Sequence, residues 1–129
     1  MPLLYQPKPG SVVMCDFHGF TAPEMVKTRP VVILAKHKHN NQLVTVVPLS
    51  TTAPHTVEDH HHELSTNPLP DEPDYVQVYA KCDMIYTVAL ARLDRYKIRT
   101  RKGREYVIPV LSAADFAGVQ QAVASALGI

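Results

Sequence analysis

Proline is the residue that most limits what this 129-residue chain can fold into. It occurs 11 times, against only 5 glycines. Each proline removes a backbone donor from a ladder or a helix, so the chain is pushed toward short strands and turns. The apolar pattern between the prolines agrees. Residues 11 to 17 alternate after the Lys8-Pro9-Gly10 turn and read as a first strand. Residues 30 to 35 (PVVILA) form a continuous β-branched run, expected to be a strand buried on both faces. Residues 42 to 49 give a third strand, whose Pro48 implies an edge or a strand end. Further strands are predicted at 75 to 80, 84 to 90, 96 to 101 and 106 to 111. In the 96 to 101 strand Tyr96, Ile98 and Thr100 share one face, and Lys97, Arg99 and Arg101 the other. Six or seven short strands with close turns predict a mainly β chain, a small twisted barrel or a sandwich.

The C-terminus reads differently. Ser112 with Asp115 is a capping-box-like start, Asp standing where Glu or Gln is usual. Phe116, Val119, Val123 and Leu127 then repeat at helical spacing until Gly128. One amphipathic helix should lie on the β layer. Residues 51 to 74 carry Pro54, Pro68, Pro70, Pro73 and four histidines without apolar periodicity. That segment is expected to be a long mobile loop within a single domain spanning 1 to 129.

A net charge of +1 hides an uneven distribution. Arg92, Arg95, Lys97, Arg99, Arg101, Lys102 and Arg104 crowd one segment, opposed only by Asp94. Residues 55 to 74 hold Glu58, Asp59, Glu63, Asp71, Glu72 and Asp74 with no Lys or Arg. Local field decides binding, so the balanced sum does not exclude a nucleic-acid partner. The Lys97, Arg99 and Arg101 face suits an RNA backbone or an acidic protein segment, and equally a charged edge that discourages aggregation. No apolar run approaches the roughly 20 residues that span a bilayer, and the N-terminus does not read as a signal peptide. Cys15 and Cys82 sit in apolar segments and read as buried thiols of a cytoplasmic protein.

Chemistry concentrates between residues 9 and 52. Glu24 precedes Arg29 by five residues, and Arg29 opens the buried run through Pro30. The next strand ends in the hydroxyls Ser50, Thr51 and Thr52. A guanidinium beside hydroxyls at neighbouring strand ends is a phosphate clamp in outline, because Arg grips oxyanions in a bidentate fork. The alternative is an exposed strand-start residue with a minor ion pair. His60-His61-His62 beside Asp59 and Glu63 invites a metal, but consecutive residues rarely converge on one ion. A solvated, pH-responsive loop and no metal site are expected.

The strings Gly10-Ser11-Val12-Val13-Met14-Cys15-Asp16-Phe17, Glu24 with Arg29-Pro30-Val31-Val32-Ile33-Leu34, and Val46-Val47-Pro48-Leu49-Ser50-Thr51 resemble, in order, the signature of the MazF/PemK/Kid toxin family. Lys81-Cys82-Asp83 and Thr87-Val88 are similar to the Arg-Cys-Asp and Thr-Ile of its Kid/PemK branch. The resemblance implies an SH3-like barrel that pairs as a homodimer, cuts single-stranded RNA without metal or cofactor, and is neutralised by a cognate antitoxin. It assigns Arg29 to the family's essential arginine and Ser50 to its essential threonine. Glu24, Lys81 and Asp83 match positions implicated in one branch or another. The loop from Thr21 to Thr28 lacks the family's two glycines and its Gln, and Lys81 stands where the branch has arginine.

RNA cleavage by its own 2′-hydroxyl needs a base, a cation for the charge gathering on phosphorus, and an acid for the departing 5′-oxygen. Asp83 or Glu24 fits the base. Arg29 does not readily lose a proton and fits electrostatic stabilisation. Ser50, with Thr51, orients a phosphate oxygen. Lys81 serves as acid only where burial or Arg29 lowers its pKa. The rival is a non-catalytic binding module on the same fold, or an inhibitor of a protein target. Convergence of Arg29, Ser50 and Asp83 on one concave site separates the two.

Overall fold

The computed structural model describes residues 2–129. The chain runs β1 (Val12–Asp16), β2 (Thr28–Lys36), β3 (Leu43–Ser50), β4 (His61–Glu63), β5 (Tyr79–Lys81), β6 (Tyr86–Ala89), a 3-10 turn (Leu90–Arg92), β7 (Leu93–Asp94), β8 (Tyr96–Thr100), β9 (Gly103–Val107) and α1 (Ala113–Leu127). One antiparallel sheet has the order β4-β5-β3-β2-β1-β7, with β6 also pairing β3, and β8 and β9 form a separate ribbon. The mainly β architecture with one terminal helix is the one the sequence predicts.

The central strands are apolar on both faces, and each face has its own core. Val12, Val32, Val47 and Leu49 belong to one cluster, which Val119, Ala122 and Val123 of α1 cover. Val13, Val31, Ile33, Val44 and Val46 belong to the other, closed by Phe17, Leu90 and Leu93. Alternation along each strand sends successive valines to opposite cores. Cys15 and Cys82 are free and fully buried, and burial pushes both thiols up to about 12.

Three sequence expectations need correction. Pro48 is not at an edge: β3 is a central strand, with Pro48 paired to Val31. On its other side β3 leaves β6 after Val46 and meets β5 only at Leu49, so Pro48 falls in the gap. A missing amide costs nothing there. The strand expected from residue 75 begins at Tyr79, because the Val76 amide turns back to the Pro73 carbonyl (3.0 Å). Leu127 is exposed although it keeps the helical period. At the helix start the Ser112 hydroxyl caps the Asp115 amide (3.1 Å) as expected, and Gly128 ends α1 in the left-handed conformation (φ 72°).

The segment 51–74 is more anchored than its composition suggests. It contains β4, paired to β5, and it buries Leu64 and Leu69 in the helix-side core. Its firmest tie is polar. The Asp115 carboxylate, buried under the segment, accepts the Ser65 amide (3.0 and 3.1 Å) and hydroxyl (2.8 Å), and meets His62 Nε2 at 3.1 Å. Burial alone would raise this carboxyl, but the Ser65 donors and His62 outweigh it and hold it below the usual 3.8. Gly118 lies directly against the His62 ring, and a Cβ there would overlap it.

Candidate active site

Strand register builds the site. Val31 of β2 pairs with Pro48 of β3, so continuing that antiparallel register sets Arg29 across from Ser50. On the far side Ser50 pairs with Tyr79 of β5. Lys81 lies two residues beyond Tyr79 and so on the same sheet face. Arg29, Ser50 and Thr51 line one small cleft of about 100 Å³ with Pro30, Leu49 and Leu69. Arg29 is exposed and, among the described residues, has no ion pair. Ser50 is fixed by its own turn: its Oγ accepts the Thr52 amide (3.1 Å) and faces the Thr52 carbonyl (3.4 Å).

The remaining predicted residues lie outside this cleft. Glu24 is exposed, and its Oε1 accepts the Thr21 amide (2.7 Å), closing the turn that Thr21 and Glu24 begin. The Met25 amide donates to the Tyr86 hydroxyl (3.0 Å), and Arg92 donates to the carbonyls of Asp16 (2.9 Å) and His18 (2.7 Å). Lys81 is half-buried at the end of β5. Asp83 follows in an exposed turn, where its Oδ2 lies 3.6 Å from His60 Nε2. Of the three residues whose convergence separates a nuclease from a binding module, Arg29 and Ser50 share the cleft and Asp83 does not, lying instead beside His60 after the end of β5.

The sequence reading missed two residues in the cleft itself. Asp71 and Glu72, from the acidic stretch of segment 51–74, line it beside Arg29. They arrive there because Leu69, two positions earlier, is buried in the core and draws the chain across the ends of β2 and β3. Only the burial of Leu69 signals this, and one leucine among prolines has no period to reveal it.

Asp71 also lines a neighbouring cleft of about 380 Å³ with Thr28, Arg92, Arg95, Tyr96 and Lys97. The two clefts thus share a wall. Arg95 stacks on Tyr106 at 4.2 Å, with the Lys97 ammonium 5.8 Å from the same ring. Arg99 and Arg101 are exposed but line neither cleft. Tyr96 is buried with its hydroxyl unpartnered among the described residues, and burial, with Asp71 and Glu72 nearby, raises its pKa. A guanidinium with no ion pair among the described residues, two hydroxyls and flanking cations can grip a phosphodiester chain, with Asp71 and Glu72 opposing it from the cleft wall.

Comparison with known proteins places the chain in a family and supports the fold. The model of the PemK-like, MazF-like toxin of type II toxin-antitoxin systems matches residues 8–127. YifN of Escherichia coli (strain K12) is 31% identical over 143 residues, covering 95% of this chain and 93% of its own. Among solved structures, MazF (Form-I) from Deinococcus radiodurans superposes with a TM-score of 0.69 at 20% identity, over 97% of this chain and 99% of that one. An endoribonuclease in complex with its cognate antitoxin, from a Mycobacterial species, gives 0.64 at 22% identity, over 96% and 97%. At such identities the superpositions speak for the fold.

Proposed function

The chain belongs to the PemK-like, MazF-like toxin family of type II toxin-antitoxin systems, and on that premise we propose that it is an endoribonuclease that cuts single-stranded RNA without a metal. The observation that carries this reading is Arg29, exposed and without an ion pair among the described residues, lining one cleft with Ser50 and Thr51. Arg29 offsets the charge that gathers on the non-bridging oxygens as the 2′-oxygen attacks phosphorus. Ser50, with Thr51, hydrogen-bonds one of those oxygens. Asp83, at the end of the adjacent strand, takes the 2′-hydroxyl proton, and Lys81 returns one to the departing 5′-oxygen. The new bond is 2′-O to phosphorus and the broken one is phosphorus to 5′-O, leaving a 2′,3′-cyclic phosphate and a 5′-hydroxyl. Glu24, committed to its turn, shapes the loop that delivers Arg29. Lys97, at the neighbouring cleft, steers the RNA backbone, while Arg99 and Arg101 extend the basic ribbon toward the strand beyond or toward an acidic antitoxin segment. A homodimer would join two such grooves into one.

A second reading, a non-catalytic binding module, is favoured by one observation: Asp83 lies beside His60 and outside the cleft. Incubating the protein with a long single-stranded RNA in excess EDTA and mapping the new ends decides between them. Discrete cuts with 5′-hydroxyl ends support the nuclease. RNA bound but left intact supports the binding module.

A further inference from the structure

The histidine triplet is not the solvated run that its spacing suggests. A turn at Asp59 and His60 precedes β4, so His60 escapes the strict alternation of the strand and its ring lies against that of His61, centroids 4.2 Å apart. Alternation resumes within β4 and sends His62 to the other side, to Asp115. Pairing of β4 with β5 then supplies a third ligand. His61 pairs with Lys81, and the Cys82 amide donates to the His60 carbonyl (3.0 Å), which sets the turn after β5 beside the two rings. That turn, closed by the Met84 amide on the Lys81 carbonyl (3.1 Å), presents Asp83. One donor atom each from His60, His61 and Asp83 lies within 4.8 Å of the others.

We propose that His60, His61 and Asp83 form a binding site for a divalent transition-metal ion, and that filling it switches cleavage off. At metal–ligand distances of roughly 2.0–2.2 Å, neighbouring donor atoms sit roughly 3–3.5 Å apart. The His60 Nε2 to Asp83 Oδ2 distance of 3.6 Å is already near that range. Two imidazoles and one carboxylate suit Zn²⁺ and its neighbours in the first transition row, and suit Mg²⁺ or Ca²⁺ poorly. Side chains of His60 and Asp83 are 31% and 47% exposed, so water completes the coordination and the ion has a path in. The Glu58 amide donates to His61 Nδ1 (3.0 Å), which places that ring's proton on Nε2. Loading through Nε2 exchanges this one bond for the ion.

The consequence follows from the chemistry of Asp83. A carboxylate bound to a cation holds its lone pairs there and is a poor proton acceptor. If Asp83 is the base of the proposed cleavage, an ion on it stops the reaction. The switching half of the proposal rests on the function proposed above, whereas the binding half stands on the three ligands alone.

Calorimetric titration of Zn²⁺ into metal-free full-length protein tests the site, with His60→Ala, His61→Ala and the control His39→Ala in parallel. Wild type and His39→Ala should each bind an ion at the site. The other two should bind it at least ~10-fold more weakly, as expected when a metal ligand is lost. Co²⁺ should give visible absorption bands in wild type that are absent from His61→Ala. In EDTA, wild type and His61→Ala should cleave RNA alike, and Zn²⁺ in excess over EDTA should stop wild type while sparing His61→Ala. Absence of binding by wild type, or binding and inhibition unchanged in both His60→Ala and His61→Ala, overturns the proposal. Binding at these ligands by a protein that never cleaves RNA leaves the metal site standing and removes the nuclease reading instead.

Discussion

Asp115, in the first turn of the terminal helix, accepts both the amide and the hydroxyl of Ser65, a residue fifty positions earlier. One buried carboxylate thus ties segment 51–74 to the helix that covers the core. Because these donors favour the ionised form, the carboxyl titrates below 3.8 in the folded state. A depressed pKa stabilises the fold above the unfolded-state value, and the stabilisation fades as pH falls through the folded one.

Asp115→Asn should therefore destabilise the protein at about pH 7 by on the order of 1.5–3 kcal/mol, the range for hydrogen bonds to a charged group. The difference from wild type should be smaller at about pH 3, below the unfolded-state value of 3.8, because the stabilisation fades as pH falls toward and through the lower folded-state value. Urea denaturation at the two pH values measures this. A gap that does not change with pH would show that the charge is not what holds Ser65.

Deleting residues 55 to 72 is expected to destabilise the fold strongly. The deletion removes buried Leu64 and Leu69, strips β5 of its β4 partner, and leaves the Asp115 carboxylate without His62 and Ser65. Each buried leucine alone is worth about 2–5 kcal/mol on truncation to alanine. The melting temperature of the deletion variant reads the outcome, and an unchanged value would mean that the segment is peripheral after all.

β1 to β3 and the helix were legible because their apolar residues repeat with a period that a strand or a helix imposes, and Ser112 and Gly128 mark the helix ends. Arg29 and Ser50 were legible as strand-terminal residues, and the family resemblance singled them out. Segment 51–74 was opaque for the opposite reason. Leu64 and Leu69 are isolated apolar residues among prolines and charges, and they are buried against a core built from strands and a helix far along the chain. Asp71, Glu72 and the His60–Asp83 approach depend on the same long-range placement, so no local pattern announces them.

Asp71 and Glu72 share the cleft with Arg29 and should oppose a polyanion. Asp71→Asn combined with Glu72→Gln is expected to tighten RNA binding about fivefold, corresponding to roughly 1 kcal/mol from relieved repulsion at a solvent-exposed site. Cleavage at saturating RNA should change little. Filter-binding and single-turnover assays separate the two effects. A loss of cleavage of a hundredfold or more would instead make one of these carboxylates the base in place of Asp83.

The central claim is that Arg29 meets charge that develops as RNA is cut, and single-turnover cleavage of a single-stranded RNA in EDTA by Arg29→Ala tests it most directly. A preorganised donor of this kind is worth on the order of 10²–10³ in rate, and a charged one more. Arg29→Ala should lose at least that much while keeping the wild-type melting temperature, since the side chain is exposed and, among the described residues, has no ion pair. Arg29→Lys, which keeps the charge without the planar fork, should recover activity only in part. Cleavage by Arg29→Ala at close to the wild-type rate, with an unchanged melting temperature, would contradict the account.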